Sequence, residues 1–188
     1  MQCQLIFYCD LDGVLTDFEK HLMREVPQSL PQDSFWSNLP DFNSIDELRA
    51  RLGDDWYKMT ASLPQTFWEF MPWIENARSL WKYLENYPRI ILSTPASSRS
   101  SRIGKQRWIQ RELGSEIPNI IQPHKERYVK QNLCVPNSIQ TQRLIKVLID
   151  DLDRNIDSWI AQGGVGILHK SANTTIKKIR EIEANISL

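Results

Sequence analysis

The chain has 188 residues, enough for one core domain with a modest insertion and a substantial hydrophobic core. Hydrophobic residues make up 41% of the sequence, charged residues 24%, and the formal net charge is zero, which argues against an extended nucleic-acid surface or a membrane partner. No apolar run reaches the roughly 18 residues of a membrane span, and the N-terminus lacks the basic segment of a signal peptide.

The numbers and positions of cysteine and histidine residues exclude several further classes of protein. Cys3, Cys9 and Cys134 form no Cys-x-x-Cys pair, and their odd number argues against a disulfide framework. The three histidines are too scattered for a zinc site, and neither a Walker loop nor a Gly-x-Gly-x-x-Gly motif is present. We therefore expect a cytoplasmic protein with reduced thiols.

The first predicted element is a short apolar strand from Leu5 to Cys9, followed by two carboxylates, Asp10 and Asp12, and by Gly13. An apolar run of this length suits a strand buried on both faces of a parallel sheet. Ligands of open α/β sheets bind beyond the carboxyl ends of such strands, and a glycine there lets the backbone turn and approach a ligand closely.

Two crowded carboxylates repel each other unless a cation lies between them, and Mg²⁺ with oxygen ligands is the usual partner. A bare Asp-x-Asp after a strand is more often an ordinary turn. A calcium loop is excluded, because Val14 stands where a third oxygen ligand is needed and the glycine is at position 13 rather than 15. An Asp beside a metal can also act as a covalent nucleophile.

The string DLDGVLTD at the end of an N-terminal strand resembles the first motif of the haloacid dehalogenase (HAD) superfamily of phosphohydrolases. The resemblance implies that Asp10 is the nucleophile and that Asp12 is the general acid and base. It also implies a Mg²⁺ site that uses Asp10 and the backbone carbonyl of Asp12.

Residues 17–75 do not continue a strand–helix alternation. We predict a helix from Asp17, a loop rich in proline, a helix opened by Ser44, and two short helical segments with several aromatic residues. By default these aromatics form the core of the insertion itself. We expect a small helical cap over residues 17–75, and an α/β core built from residues 1–16 and 76–188.

From Ile74 onward, helical and strand patterns alternate, which predicts a doubly wound parallel sheet with right-handed crossovers. The predicted helices cover residues 74–86 and 99–113, a stretch through Trp159, and a last helix opened by Asn173 or Thr174. The predicted strands cover residues 90–92, 119–122, 144–149 and 165–169.

The strand that ends in ILSTP supplies hydroxyl groups at a strand end. The HAD resemblance implies that Ser93 binds a phosphate oxygen, with Thr94 as its neighbour in the substrate site. A hydroxyl can donate a hydrogen bond to a phosphate oxygen. A Ser-Thr-Pro turn is also a common plain start of a loop.

The helix that follows carries Arg99, Arg102, Lys105 and Arg107, and we expect part of it to face the phosphate, with Lys105 as a substrate-binding candidate. Residues 99–130 carry eight bases and three acids, net +5, whereas residues 16–75 carry eleven acids and five bases, net −6. The alternative is a solvated helix that pairs with the acidic insertion.

The third motif of the HAD family is a lysine that stabilises the nucleophile and the transferring phosphoryl group. Lys125 and Lys130 both lie between the third and fourth predicted strands. The string HKERYVK resembles the start of the corresponding helix and favours Lys125, but the sequence leaves the choice open.

The strand LIKVLID ends in a second pair of acids, Asp150 and Asp151. Two such strand ends in one sheet argue jointly for a metal, because like charges gathered there without a cation are costly. The resemblance implies a Mg²⁺ site made of Asp10, the Asp12 carbonyl, Asp150 and Asp151. The alternative is that Asp151 or Asp153 caps the next helix.

The resemblance extends to one branch of the family, the 5'(3')-deoxyribonucleotidases and their phage and bacterial relatives. It rests on the strings DGVLTDFE, FWEFMPW, LSTP and KQRWIQRELG. This implies a nucleoside monophosphate substrate, with Phe18 lining the base pocket. The resemblance is patchy over residues 27–63 and 131–143. Two alternatives stay open: a HAD phosphatase for another small phosphoester or a polynucleotide end, and a non-catalytic binding protein on this fold. The sequence gives neither the oligomeric state nor the turnover.

Overall fold

A computed structural model of the protein describes residues 3–29, 44–131 and 143–186. These ranges contain five strands: β1 Cys3–Cys9, β2 Arg89–Ser93, β3 Asn119–Ile121, β4 Arg143–Asp150 and β5 Val165–Leu168. The α-helices are α1 Phe18–Ser29, α2 Ile45–Leu52, α3 Asp55–Ser62, α4 Gln65–Glu69, α5 Ala77–Tyr83, α6 Arg99–Glu112, α7 Asp153–Ala161 and α8 Ala172–Ile186. Two 3₁₀ helices cover Leu84–Asn86 and Lys125–Val129. Within these residues no helix is both long enough and apolar enough to cross a membrane.

The strands form one sheet in the order β3-β2-β1-β4-β5, and every pair is parallel. The predicted α/β fold with a parallel sheet is therefore confirmed. Successive strands lead outward from β1 on one side and then continue from β4 on the other, so β1 is the point where the strand order reverses. Ligands of doubly wound sheets bind at this point, beyond the carboxyl ends of the strands.

The two faces of the sheet carry different side chains of β1, because alternate residues of a strand point to opposite faces. Tyr8 packs against Trp159 of α7, with ring centroids 5.0 Å apart, inside a cluster of buried aliphatic residues. Phe7 packs against Tyr87 at 4.9 Å, and the Tyr87 hydroxyl donates a hydrogen bond to Glu183 of α8. Both faces are thus covered, which explains why residues 5–9 are nearly free of polar groups.

The chain divides into two compact units, one of residues 1–16, 73–94 and 116–188, and one of residues 17–72 and 95–115. The first unit holds the sheet with α5, α7 and α8, and the second holds α1 to α4 together with α6. The division expected from the sequence stays a prediction; it differs from these units in residues 73–75 and 95–115. Two local expectations have clear outcomes. Ser44 caps α2 by accepting a hydrogen bond from the Glu47 N–H, whereas the last helix begins earlier than predicted, at Ala172.

The hydroxyl of Tyr8 offers a test of the packing. Tyr8 is fully buried, and its hydroxyl has no hydrogen-bond partner among the described residues. Because a buried polar group without a partner costs about 1–3 kcal/mol, we expect Tyr8→Phe to leave the free energy of unfolding unchanged or to raise it. The measurement is urea unfolding of the two proteins.

The matched control is Tyr87→Phe, which removes the same atom but breaks the bond to Glu183. We expect this control to lower the free energy of unfolding by about 0.5–1.5 kcal/mol. If Tyr8→Phe were the more damaging of the two, the Tyr8 hydroxyl would have a partner, such as a buried water.

Candidate active site

The acidic strand ends predicted from the sequence meet at the carboxyl edge of the sheet. Cys9 of β1 pairs with Ile149 of β4, so Asp10 and Asp150 leave the sheet at the same level. The Asp10 N–H donates to the Ile149 carbonyl at 3.0 Å. Asp10, Asp150 and Asp151 each offer a carboxylate oxygen, and these oxygens all lie within 4.8 Å of one another.

The Lys125 ammonium lies between two of these carboxylates. Its Nζ is 2.6 Å from Asp10 Oδ2 and 2.6 Å from Asp150 Oδ2, and its side chain is only 3% exposed. Burial by itself would lower the pKa of Lys125, but the charges of Asp10 and Asp150 outweigh it and the pKa is raised. Lys130 is exposed, so the structure places Lys125 rather than Lys130 beside the two acids.

The backbone before Lys125 takes a conformation that is unusual for its residue type. His124 has φ 63° and ψ 60°, the left-handed region, and the 3₁₀ helix Lys125–Val129 begins directly after it. Non-glycine residues in this region cluster at functional sites. The left-handed residue is the N-cap of the short helix, so Lys125 is the first residue of that helix.

Asp150 is held from several sides. Its Oδ1 accepts from the Leu152 N–H at 3.0 Å, and Asn155 Nδ2 donates to both of its oxygens, at 2.9 and 3.1 Å. Burial and the Asp10 charge raise the pKa of Asp150, and the contacts with Lys125 and Asn155 act in the opposite direction. Neither Asp151 nor Asp153 caps α7, whose N-cap residue Leu152 makes no side-chain cap bond.

Asp151 is the third carboxylate of the acidic group. Burial, together with the charges of Asp10 and Asp150, raises its pKa to about 7. The three carboxylates and the Lys125 ammonium together carry a formal charge of −2 when all are ionised. A hard divalent cation balances this charge and prefers carboxylate oxygens, so the donor set fits Mg²⁺.

Gly13 makes room for Asp151. Its φ is +74°, and a Cβ built there would lie 2.1 Å from Asp151 Oδ2 and 2.4 Å from Asp151 Cγ. A side chain at position 13 would therefore be strained in its backbone and would also displace the Asp151 carboxylate. The glycine of the DLDG string is required for two separate reasons.

The second carboxylate of the first motif is held by a neighbour in the same turn. Thr16 Oγ1 donates to Asp12 Oδ1 at 3.2 Å, and Thr16 is fully buried. The Leu11 carbonyl accepts hydrogen bonds from the N–H groups of both Leu15 and Thr16 at 2.8 Å, which closes the turn. Asp12 itself is partly exposed.

The hydroxyl candidates at the end of β2 have different environments. Ser93 is 1% exposed and lies on the strand that pairs with β1, so it belongs to the same carboxyl edge as Asp10. Thr94 follows it and is exposed. Ser93 is the last residue of β2, so the sheet fixes its position, whereas Thr94 lies just after the strand.

Phe18 and Lys105 belong to the second compact unit, where both lie against Trp68. The Phe18 ring is stacked with the indole at 5.7 Å and an interplanar angle of 21°, and Lys105 Nζ is 5.4 Å from the ring centroid. Trp56 and Phe67 also contact Phe18. Lys105 is fully buried, which the sequence pattern of an exposed basic helix did not indicate.

Two supporting residues were missed by reasoning from the sequence, Thr16 and Asn155. Thr16 lies four residues after Asp12 in the same motif string, and a threonine in a tight turn is a common partner for a carboxylate. Asn155 lies at the start of the helix predicted after Asp150, where an amide can reach back to the strand end. Both signals are present in the sequence but are weak.

Comparison with solved structures bears on the fold. The structure of a hydrolase from Streptococcus pneumoniae TIGR4 is similar to this one, with a TM-score of 0.50 and 14% sequence identity. The match covers 98% of this chain and 100% of the hydrolase. A protein of Burkholderia xenovorans LB400 named as a haloacid dehalogenase-like hydrolase matches 87% of this chain and 80% of its own, with a TM-score of 0.48 and 19% identity. No protein-family model and no curated protein matches the sequence. The first similarity shows that the chain shares the fold of the streptococcal hydrolase.

The close contact between Gly13 and Asp151 can be tested directly. If Asp151 is a Mg²⁺ ligand, we expect Gly13→Ala to weaken Mg²⁺ binding at least about tenfold, because the new methyl group displaces the Asp151 carboxylate. Isothermal titration calorimetry with Mg²⁺ measures the affinity, and urea unfolding measures stability.

The control is Gly163→Ala, at a glycine with φ +93° where a new methyl group would meet no described atom within 4 Å. Both variants should lose about 1–2 kcal/mol of stability from backbone strain. Only Gly13→Ala should lose Mg²⁺ affinity. Equal affinities in the two variants would show that Asp151 is not a ligand.

Proposed function

We propose that the protein is a Mg²⁺-dependent phosphomonoester hydrolase of the HAD type that works through an aspartyl-phosphate on Asp10. One observation carries the proposal. At the carboxyl end of the central strand, the buried Lys125 ammonium is 2.6 Å from both Asp10 and Asp150, and Asp151 completes a group of three carboxylates. The DLDG string supplies Asp12 two residues after the proposed nucleophile.

The first step is attack by an Asp10 carboxylate oxygen on phosphorus. The new O–P bond forms as the bond between phosphorus and the leaving oxygen breaks, and the protonated Asp12 gives its proton to that oxygen. Lys125 offsets the negative charge of Asp10 and of the phosphoryl group that approaches it, and Ser93 donates a hydrogen bond to a phosphoryl oxygen. The products are the free alcohol and an acyl phosphate on Asp10.

The second step returns the enzyme to its starting state. Asp12, now ionised, takes a proton from a water molecule, and the water oxygen attacks phosphorus. The P–O bond to Asp10 breaks, so phosphate leaves and the Asp10 carboxylate is restored. Thr16 orients the Asp12 carboxylate in both steps through its hydrogen bond.

The metal would be held by Asp10, Asp151, Asp150 and the Asp12 carbonyl. When bound, Mg²⁺ would offset negative charge on the phosphoryl group, which favours approach of the anionic Asp10 carboxylate to phosphorus. Both Asp150 oxygens already accept hydrogen bonds from Lys125 or Asn155. We therefore propose Asp151 as the more direct ligand, with Asp150 fixing Lys125.

The test of the chemistry is Asp10→Asn, which is nearly isosteric but replaces the nucleophile with an amide. We expect turnover to fall below about a hundredth of wild type at unchanged thermal stability, given the usual cost of losing a covalent nucleophile. The control is Asp157→Asn on the exposed surface of α7. Phosphate release is measured for both variants, with Mg²⁺ and with excess chelator. Retained activity of Asp10→Asn, or full wild-type activity in chelator, would overturn the proposal.

For the substrate we propose a small phosphomonoester, most favourably a nucleoside monophosphate. The support is the aromatic group around Phe18, since an aromatic ring can stack on a base, and the net −6 of residues 16–75, which disfavours a long polynucleotide. A sugar phosphate and a polynucleotide end are the alternative substrates. A binding protein without activity is the alternative function, which the Asp10→Asn comparison decides.

A screen of phosphate release over nucleoside monophosphates, sugar phosphates and DNA ends tests the substrate class. We expect nucleotides to be hydrolysed fastest, and Phe18→Ala to raise KM for nucleotides about tenfold, because base stacking contributes about 1–3 kcal/mol. The turnover of p-nitrophenyl phosphate should not change. Phe70→Ala, at an exposed ring of the same unit, is the control. A nucleotide KM that Phe18→Ala leaves unchanged would reject the nucleotidase assignment and leave the phosphatase assignment standing.

A further inference from the structure

Lys146 lies in the interior of β4 and points to the face that carries Leu148 and Asp150, because alternate residues of a strand share a face. Its ammonium donates a hydrogen bond to the Tyr128 carbonyl at 3.0 Å, and a second bond to the Gln131 carbonyl. Both carbonyls belong to the end of the 3₁₀ helix Lys125–Val129 and the residues just after it. The lysine therefore binds the segment whose first residue is Lys125.

Such a contact matters because the helix is short. A five-residue 3₁₀ helix has little stability of its own, and the carbonyls at its end have no N–H partners within the helix. A cation at the carboxyl end of a helix satisfies these carbonyls and is favoured by the helix dipole. Burial lowers the pKa of Lys146, so the position is costly for an ammonium unless such partners are present.

The face of β4 thus holds the short helix at both ends. Asp150 binds Lys125 at the first end, and Lys146 binds Tyr128 and Gln131 at the other. Between them, Tyr128 and Val129 pack on the apolar cluster that includes Leu148. Lys146 and Asp150 are four positions apart along the strand, about 13 Å at 3.3 Å per residue, so Lys146 does not touch the reacting atoms.

We propose that Lys146 is a positioning residue for the hydrolytic reaction: by fixing the carboxyl end of the 3₁₀ helix Lys125–Val129, it holds the Lys125 ammonium against Asp10 and Asp150. The inference rests on the proposed function, in which Lys125 stabilises the transferring phosphoryl group. A residue that only stabilised the fold would change unfolding but not the step in which Lys125 acts.

The kinetic test uses Lys146→Met, which keeps the length of the side chain and removes the ammonium. We expect kcat to fall about tenfold, the effect typical of losing a supporting contact, with KM changed less than about twofold. Lys146→Arg should restore most of kcat, because the guanidinium can donate to the same carbonyls. The control is Lys178→Met, which removes another lysine that donates to a strand carbonyl, that of Leu168, but lies far along the sequence from the helix.

A double-mutant cycle separates positioning from general stabilisation. If Lys146 acts through Lys125, the double variant Lys125→Met/Lys146→Met has the same kcat as Lys125→Met alone, since there is no ammonium left to position. A further tenfold loss in the double variant would overturn the inference, as would a Lys146→Met enzyme with wild-type kcat. If Lys146→Met does not fold, Lys146→Gln replaces it in the same cycle.

A measurement without substrate separates failure of this inference from failure of the proposed function. Amide hydrogen exchange of residues 125–131 should be faster in Lys146→Met than in wild type or Lys178→Met, while β1 and the rest of β4 keep their protection. Unchanged exchange there overturns the inference. Faster exchange in a protein that hydrolyses no phosphoester would instead overturn the proposed function.

Discussion

The interaction on which the site depends is the contact of one buried ammonium with two buried carboxylates. Lys125 stays charged because Asp10 and Asp150 raise its pKa against the effect of burial, and the two acids tolerate each other because Lys125 lies between them. Buried ion pairs contribute little net stability, and Lys125 keeps one carboxylate partner when the charge of the other is removed. The arrangement is therefore better understood as a means of fixing geometry than as a source of stability. It leaves Asp151 with charge that only a cation or a proton can balance.

Much of this site could be predicted from the sequence because its acids follow strands directly. Asp10 and Asp12, and then Asp150 and Asp151, end two apolar runs, and parallel pairing carries the ends of such runs to one edge. That reasoning needs only local pattern and a general rule of topology. It correctly gave the parallel sheet, which the structure confirms, whereas the chemical roles of the acids remain proposals that rest on geometry.

The rest of the site depends on contacts that no local pattern encodes. The sequence left the choice between Lys125 and Lys130 open. The short helix begins after His124, and the left-handed conformation of a histidine has no reliable sequence signal. Lys146 is similar. In the strand pattern it is one polar residue among apolar ones. Its hydrogen bonds to the Tyr128 and Gln131 carbonyls depend on tertiary structure and cannot be predicted from the local sequence. Grouping of α6 with residues 17–72 is likewise a matter of long-range packing.

The residues proposed for the chemistry and those proposed for the choice of substrate belong to different stretches of the chain. Every charged group assigned to the reaction, from Asp10 to Asp151, belongs to the compact unit that holds the sheet, whereas Phe18, Trp68 and Lys105 belong to the other. A phosphoryl group is the same in every monoester, so carboxylates and an ammonium that contact only that group cannot distinguish one leaving alcohol from another. Discrimination must come from surfaces of other chemistry, and aromatic rings beside a buried cation are such a surface. If Phe18 takes part in substrate recognition as proposed, substitutions around it would change the preferred substrate and leave the charge balance around Lys125 intact.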